Sequence, residues 1–275
     1  MTLSISELEE FARKCRVEIV KMVYRAQAGH PGGSLSEIDL ISALYATRMR
    51  VRPQQPKWED RDRFILSKGH ASPGMYAVLA EMGFIEHEDL HSYRVLGGKC
   101  QGHVDMKWCP GVDFSAGSLG MGLSFGLGCA IAARLDNSQR RTFVMIGDGE
   151  LQEGSVWEAA MAAAHHEVGN LKVILDRNRI QNDDFCEEQM RMFDIPAKWR
   201  AFGWEVKEID GHNMEDVMSG LDFLEATNNK PAILIAHTIK GAGVSFMENN
   251  PSFHGAAPND EQFAQAMLEL GEVIA

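Results

Sequence analysis

Two short apolar runs, Phe143–Ile146 and Lys172–Leu175, constrain the fold more than any other feature of the chain. Each is continuous rather than alternating and rich in β-branched or bulky apolar residues, as expected of a strand covered on both faces in a parallel sheet. Between them the sequence predicts a helix, with Ser155 as N-cap, Glu158 completing a capping box, an Ala-rich body to about Val168 and Gly169 as its stop. A strand–helix–strand crossover returns both strand ends to one edge of the sheet, the edge where open α/β sheets bind ligands. Gly147-Asp148-Gly149, which ends the first run, should therefore converge with Asp176-Arg177-Asn178, which ends the second. The oxygens of Asp148 and Asn178 suit a hard cation such as Mg²⁺ or Ca²⁺, whose shell substrate phosphate and water would complete. The glycines beside Asp148 let a diphosphate approach the backbone. A strand-end aspartate that caps a helix is the alternative reading of Asp148.

The rest of the chain repeats this pattern. Leu8, Phe11, Ala12, Cys15, Ile19, Met22, Val23 and Ala26 follow a Ser6/Glu9 capping box at helical spacing. The Gly/Pro-rich stretch Ala28–Gly33 reads as a tight loop carrying His30, with a helix from about Ser36. The segment RPQQPKWEDRDR reads as polar and exposed. Further strands are expected at Arg63–Leu66, Trp204–Ile209 and Ala232–Ala236, and further helices at Pro73–Met82, Gly120–Leu135, after Asn213 and from about Asp260. About five strands alternating with helices imply a doubly wound, mainly parallel α/β sheet with helices on both faces, expected as a single domain over 1–275. Nine glycines lie between Gly97 and Gly128. Gly120-x-Gly122-x-x-x-Gly126 is not a dinucleotide fingerprint, because no strand immediately precedes it and no suitable acidic residue follows. Its small residues point instead to close helix packing, which could serve a subunit interface.

Composition excludes several classes. A net charge of −12 argues against nucleic acid and against an anionic membrane surface. No run is long and apolar enough for a transmembrane helix, and MTLSISELEE lacks a signal-peptide core. Five scattered cysteines without a CxxC pair read as reduced thiols of a cytoplasmic protein.

The motifs AGHPGG, DRDRFILSKGH, QGH, AGSLGMG, GDGELQEG, DRNRIQ, EIDGH, TIKGAGVSFME and FHGA occur in this order. Together they resemble the transketolase family, over the domain that binds the diphosphate of thiamine diphosphate. The resemblance implies the N-terminal subunit of a split transketolase, since that family's pyrimidine-binding domain lies beyond the matched region. It implies that Asp148, Asn178 and the Ile180 carbonyl bind Mg²⁺ (or Ca²⁺ or Mn²⁺), and that Gly149 meets the diphosphate. Gly117, Ser118 and Leu119 would line the thiazolium side. His70 and His254 would border the diphosphate and reacting centre, and His30 and His103 would meet substrate hydroxyls and help proton transfer. Glu153 resembles the acidic residue linking the two active sites of a dimer. Lys68 and Lys240 would be further contacts, with solvated lysines as the alternative. His165 and His166 diverge on a helix and receive no site.

The implied function is transfer of a two-carbon ketol unit from a ketose phosphate to an aldose phosphate. A C-terminal subunit would supply the pyrimidine-binding domain and its activating glutamate, giving an α2β2 heterotetramer and leaving this chain inactive alone. The rivals are a transketolase subunit for an unusual (branched) ketose phosphate, the α subunit of a 2-oxo acid dehydrogenase-type thiamine enzyme, and a non-catalytic protein that only binds the cofactor. AGHPGG and FHGA favour transketolase over the dehydrogenase.

Overall fold

The computed structural model of the chain describes residues 3–182 and 184–272, so both ends of the expected 1–275 domain lie outside the described residues. Within these residues, five strands form one parallel sheet: β1 (Arg63–Leu66), β2 (Thr142–Gly147), β3 (Leu171–Arg177), β4 (Glu205–Asp210) and β5 (Ala232–His237), in the order β1-β2-β3-β5-β4. The longer helices are α1 (Ile5–Ala26), α2 (Pro31–Thr47), α3 (Ser72–Glu81), α4 (Met121–Leu135) and α5 (Gly154–His165). The short α6 (Cys186–Gln189) and α7 (Ile195–Ala201) precede α8 (Met214–Ala226) and α9 (Asp260–Glu269).

The strands are apolar throughout because both faces are covered. Phe64, Phe143, Met145, Ile174 and Leu234 point into one core with α1, α2, α3 and α8. Their strand neighbours Ile65, Val144, Ile146, Val173 and Ile235 point into a second core with α4, α5 and α7. Period-2 alternation thus feeds two layers, and the expected doubly wound α/β fold is the one observed. The β2–β3 register pairs Gly147 with Asp176, which brings the two polar clusters level at one edge. No helix among the described residues is long and apolar enough to cross a membrane, and all five cysteines are free thiols.

Four local expectations are corrected. The capping box of α1 is Ser4/Glu7, not Ser6/Glu9: Glu7 N–H donates to Ser4 Oγ and Ser4 N–H donates to Glu7 Oε2. Helix α2 starts at Pro31 rather than Ser36. Proline at the first helical position loses no hydrogen bond and has its φ pre-set. Gly32 is needed in that first turn because a Cβ there would stand 3.0 Å from both Lys240 Cγ and the Phe253 carbonyl. Ser155 does not cap α5; its hydroxyl donates to the Gly120 carbonyl, and Glu153 takes the N-cap position without a side-chain bond. The same helix ends at His165, before Val168, where Arg134 donates to the carbonyls of His166 and Glu167. In α4 the small residues divide: Gly122, Gly126, Ala130 and Ala133 pack inward, and Ser124, Gly128 and Ala132 lie on the exposed face. A Cβ on Gly126 would overlap Val144 Cγ2, while Met121, Phe125 and Leu135 face outward.

Candidate active site

A cavity of about 390 Å³ opens at the carboxyl edge of β1, β2 and β3. Of the residues singled out from the sequence, Asp148, Gly149 and Glu153 reach it from the end of β2, and Asn178 and Ile180 from the end of β3. Lys68 and His70 follow β1 into it, His103, Gly117 and Leu119 come from the glycine-rich segment, and His30, Lys240 and His254 close it. Ser118 is exposed and does not line the cavity, although both its neighbours do.

The oxygen-bearing residues are buried and held in place. Asp148 is 4% exposed and accepts from Gly149 N–H (2.9 Å) and Arg179 N–H (2.6 Å). Burial, and then the charge of Asp176, pushes its carboxyl up to about 6. Asn178 Oδ1 accepts from Ile180 N–H at 3.2 Å, and the Ile180 carbonyl receives the Lys240 ammonium at 2.8 Å. The Lys240 ammonium thus stands on the Ile180 carbonyl, one of the oxygens a cation would need. Among the described residues no three His, Cys, Asp or Glu side chains are grouped to hold a metal. A cation here would rest on mixed carboxylate, amide and carbonyl oxygens, a set that suits Mg²⁺ or Ca²⁺ rather than zinc.

The histidines cluster, though their loops are far apart in sequence. Ring centroids of His30, His70 and His254 lie 5.0 to 5.4 Å from one another, and His103 stands 6.2 Å from His30. Burial disfavours the charged form of each: it lowers His30 to about 4 and His254 to about 3, and shifts His70 and, more exposed, His103 the same way. Cationic neighbours add to this, Lys240 at His254 and Lys68 at His70. His30 is not bonded to its own backbone; its Nδ1 is buried without a partner. Lys240 Nζ lies 2.6 Å from His254 Nδ1. An ammonium only donates, so His254 Nδ1 accepts and its ring proton sits on Nε2.

Neither lysine is solvated; both are buried. Lys240 is 2% exposed, and burial followed by the charge of Lys68 lowers it to about 8. Lys68 is 3% exposed; burial opposes its charge and is outweighed by Asp176 at 2.5 Å and Glu37 at 2.8 Å. Sequence reasoning missed both of these carboxylates, and Glu150 with them. Burial raises Glu37 to about 8 despite Lys68. Glu150 accepts from Ser67 Oγ, Gly120 N–H and Gly147 N–H. A signal for Glu37 existed: α2 is apolar nearly all round, so a carboxylate within it has to be buried and paired.

Residues 8–273 match the transketolase thiamine diphosphate binding domain. The chain belongs to the transketolase family. It is 42% identical over 272 residues to one of the subunits of the apulose-4-phosphate transketolase of Phocaeicola vulgatus, covering 99% of this chain and 96% of that one. It is 37% identical over 264 residues to a 6-deoxy-6-sulfo-D-fructose transketolase subunit of a Clostridium species, with 96% of each covered. Human transketolase is 34% identical over 266 residues, but this transketolase chain spans only 42% of its length. The solved transketolase of Leishmania mexicana superposes with a TM-score of 0.92 at 30% identity, covering 99% of this chain and 42% of that one. The fold is therefore that of a transketolase thiamine diphosphate binding domain, and the chain is a transketolase component. No nicotinamide-type site is needed to account for Gly120–Gly126.

Proposed function

We propose that this chain, as one domain over 1–275, is the N-terminal subunit of a two-subunit transketolase. The enzyme transfers a two-carbon ketol unit from a ketose phosphate to an aldose phosphate. The observation that carries this reading is the meeting, in one cavity, of the buried Asp148, Asn178 and Ile180 with a cluster of four histidines. In this reading Asp148, Asn178 and the Ile180 carbonyl hold Mg²⁺ (or Ca²⁺ or Mn²⁺), and Gly149 contacts the diphosphate with Lys68 and Lys240 beside it. Gly117 and Leu119 lie against the thiazolium ring, with Ser118 between them turned out of the cavity. When bound, thiamine diphosphate supplies the electron sink for the two-carbon unit. His30 lines the cavity with His103 beside it and is suited to take a proton from a sugar hydroxyl. His254, its Nδ1 tied to Lys240, offers Nε2–H as a donor next to His70. Glu153, exposed at the cavity rim, faces the partner's active site.

Two relatives that match this chain nearly end to end are named as transketolase subunits. That supports a partner subunit, which in this reading is C-terminal and bears the pyrimidine-binding domain, the two forming a cytoplasmic α2β2 heterotetramer. Their names also favour a second reading, in which the donor is an unusual ketose rather than a common pentulose phosphate.

The test is two-carbon transfer to ribose 5-phosphate with Mg²⁺ and thiamine diphosphate, run with this chain alone and with its partner. Xylulose 5-phosphate, apulose 4-phosphate and 6-deoxy-6-sulfofructose serve as donors. Turnover of one donor only in the mixture supports the split enzyme and names its substrate class. Turnover by this chain alone removes the need for a partner, and turnover of a 2-oxo acid in place of any ketose overturns the reading.

A further inference from the structure

Asn178 is useful to a cation only through its oxygen, yet the two ends of an amide have almost the same shape and differ only in donating or accepting. Something must decide which end faces the cavity. Behind Asn178, at the end of β3, lies Asp176, fully buried and not part of the cavity wall. Its Oδ2 receives Lys68 Nζ at 2.5 Å, Ser36 Oγ at 2.6 Å and Asn178 Nδ2 at 2.9 Å, and its Oδ1 receives Thr238 Oγ1.

An ionised carboxylate only accepts. The reverse rotamer of Asn178 would press its carbonyl oxygen against Asp176 Oδ2 in a low-dielectric interior. Ser36 acts in the same sense. Its hydroxyl points to Asp176 and the Gly33 carbonyl, so toward Asn178 Nδ2, 3.2 Å away, it presents a lone pair. Ile180 N–H then meets Oδ1 from the other side at 3.2 Å. The amide nitrogen is held from behind, and the oxygen is left toward the cavity.

We infer that Asp176 is a positioning residue that fixes Asn178 with its carbonyl oxygen toward the metal. This rests on the metal assignment made under Proposed function. It is the arrangement by which outer groups orient a ligand and raise its affinity. What matters is an acceptor at this point rather than its charge. Asparagine at 176 could keep an oxygen toward Asn178 and turn its NH₂ to Thr238, whereas leucine has no acceptor at all.

The experiment counts free Mn²⁺ by electron paramagnetic resonance during titration of the full chain in complex with thiamine diphosphate and its partner protein. Asp176→Leu should weaken Mn²⁺ binding about 10- to 100-fold, and Asp176→Asn by no more than roughly threefold. In an Asn178→Ala background, Asp176→Leu should add less than about twofold, because the two residues act as one unit. Since Asp176→Leu strands the buried Lys68, the double variant Asp176→Leu/Lys68→Met, which removes the pair together, stands in if the single variant does not fold. Read against Lys68→Met alone, because Lys68 itself stands beside the diphosphate, it should show the same loss. Equal losses for Asp176→Asn and Asp176→Leu, or full additivity with Asn178→Ala, overturn the inference while leaving the metal assignment intact. If Asn178→Ala leaves Mn²⁺ binding unchanged, the metal assignment itself fails.

Discussion

Asp62 and Asp176 are both fully buried aspartates, at opposite edges of the same sheet, and they are buried in different ways. Asp62, at the amino edge, accepts from the backbone N–H of Arg50 (2.9 Å) and of Arg141 (2.7 Å), and from the guanidinium of Arg141 at 2.7 Å. Those donors end in protein again, since Arg141 also meets Glu225 and Arg50 also meets the Gln139 carbonyl. The charge is closed off. Asp176, at the carboxyl edge, is surrounded by groups whose other sides open on the cavity, Lys68 and Asn178 among them. Nearby, His30 Nδ1 is left without a partner. A buried carboxylate in a closed network supports the fold, whereas one whose donors line a cavity arranges a site.

The largest expected effect tests the closed side. Asp62→Ala strands the largely buried Arg141 guanidinium and two backbone N–H groups, and should cost about 3–5 kcal/mol of stability by urea denaturation. The Mn²⁺ affinity of the protein that remains folded should be unchanged. A weaker metal site with little loss of stability would erase the distinction between the two edges.

The two edges also differed in how readily they could be read from the sequence. The carboxyl edge was legible because each strand is a compact apolar run with a polar cluster directly behind it, as at Gly147-Asp148-Gly149. The amino-edge network was not. Arg50, Asp62, Arg141 and Glu225 are far apart in the chain, and Asp62 sits in a stretch whose composition reads as exposed. Asp176 stands two residues from Asn178, but its role depends on Ser36 and Lys68, which only the folded chain brings to it. Helix ends were misread where a side chain had a tertiary partner, as with Ser155, or where a proline began the helix, as with Pro31.

A smaller effect belongs to the open side and depends on pH. His30 and His254 titrate near 4 and 3 when folded, below the ordinary 6.5, mainly because they are buried. From about pH 6.5 down to about 4 the unfolded chain takes up these protons and the folded chain does not. Stability should therefore fall as pH drops through that window and recover above it. The total is on the order of 1–2 kcal/mol, reduced by the solvent that reaches both rings. Thermal melts at stepped pH should show the slope, and the double variant His30→Asn/His254→Asn should reduce it, His70 supplying most of what remains. A slope left unchanged by the double variant would place the acid sensitivity elsewhere, the closed amino edge included.

The smallest effect concerns the wall of the cavity. Ser155 Oγ donates to the Gly120 carbonyl at 3.0 Å, while Gly120 N–H donates to Glu150 at 2.7 Å, so the turn after Gly117–Leu119 is held on both sides. Ser155→Ala should cost about 1 kcal/mol, the worth of one hydrogen bond. Where that loss appears separates the two roles the residue could have. A helix cap would expose the first amides of α5, so hydrogen exchange would quicken at Trp157 and Glu158. A bond to the wall leaves those amides alone and quickens exchange at Gly120 and Gly122, the second of which donates to Ser67 at 3.1 Å. The geometry requires the latter pattern, and with it a looser wall on the open edge of the sheet while the closed network around Asp62 keeps its protection.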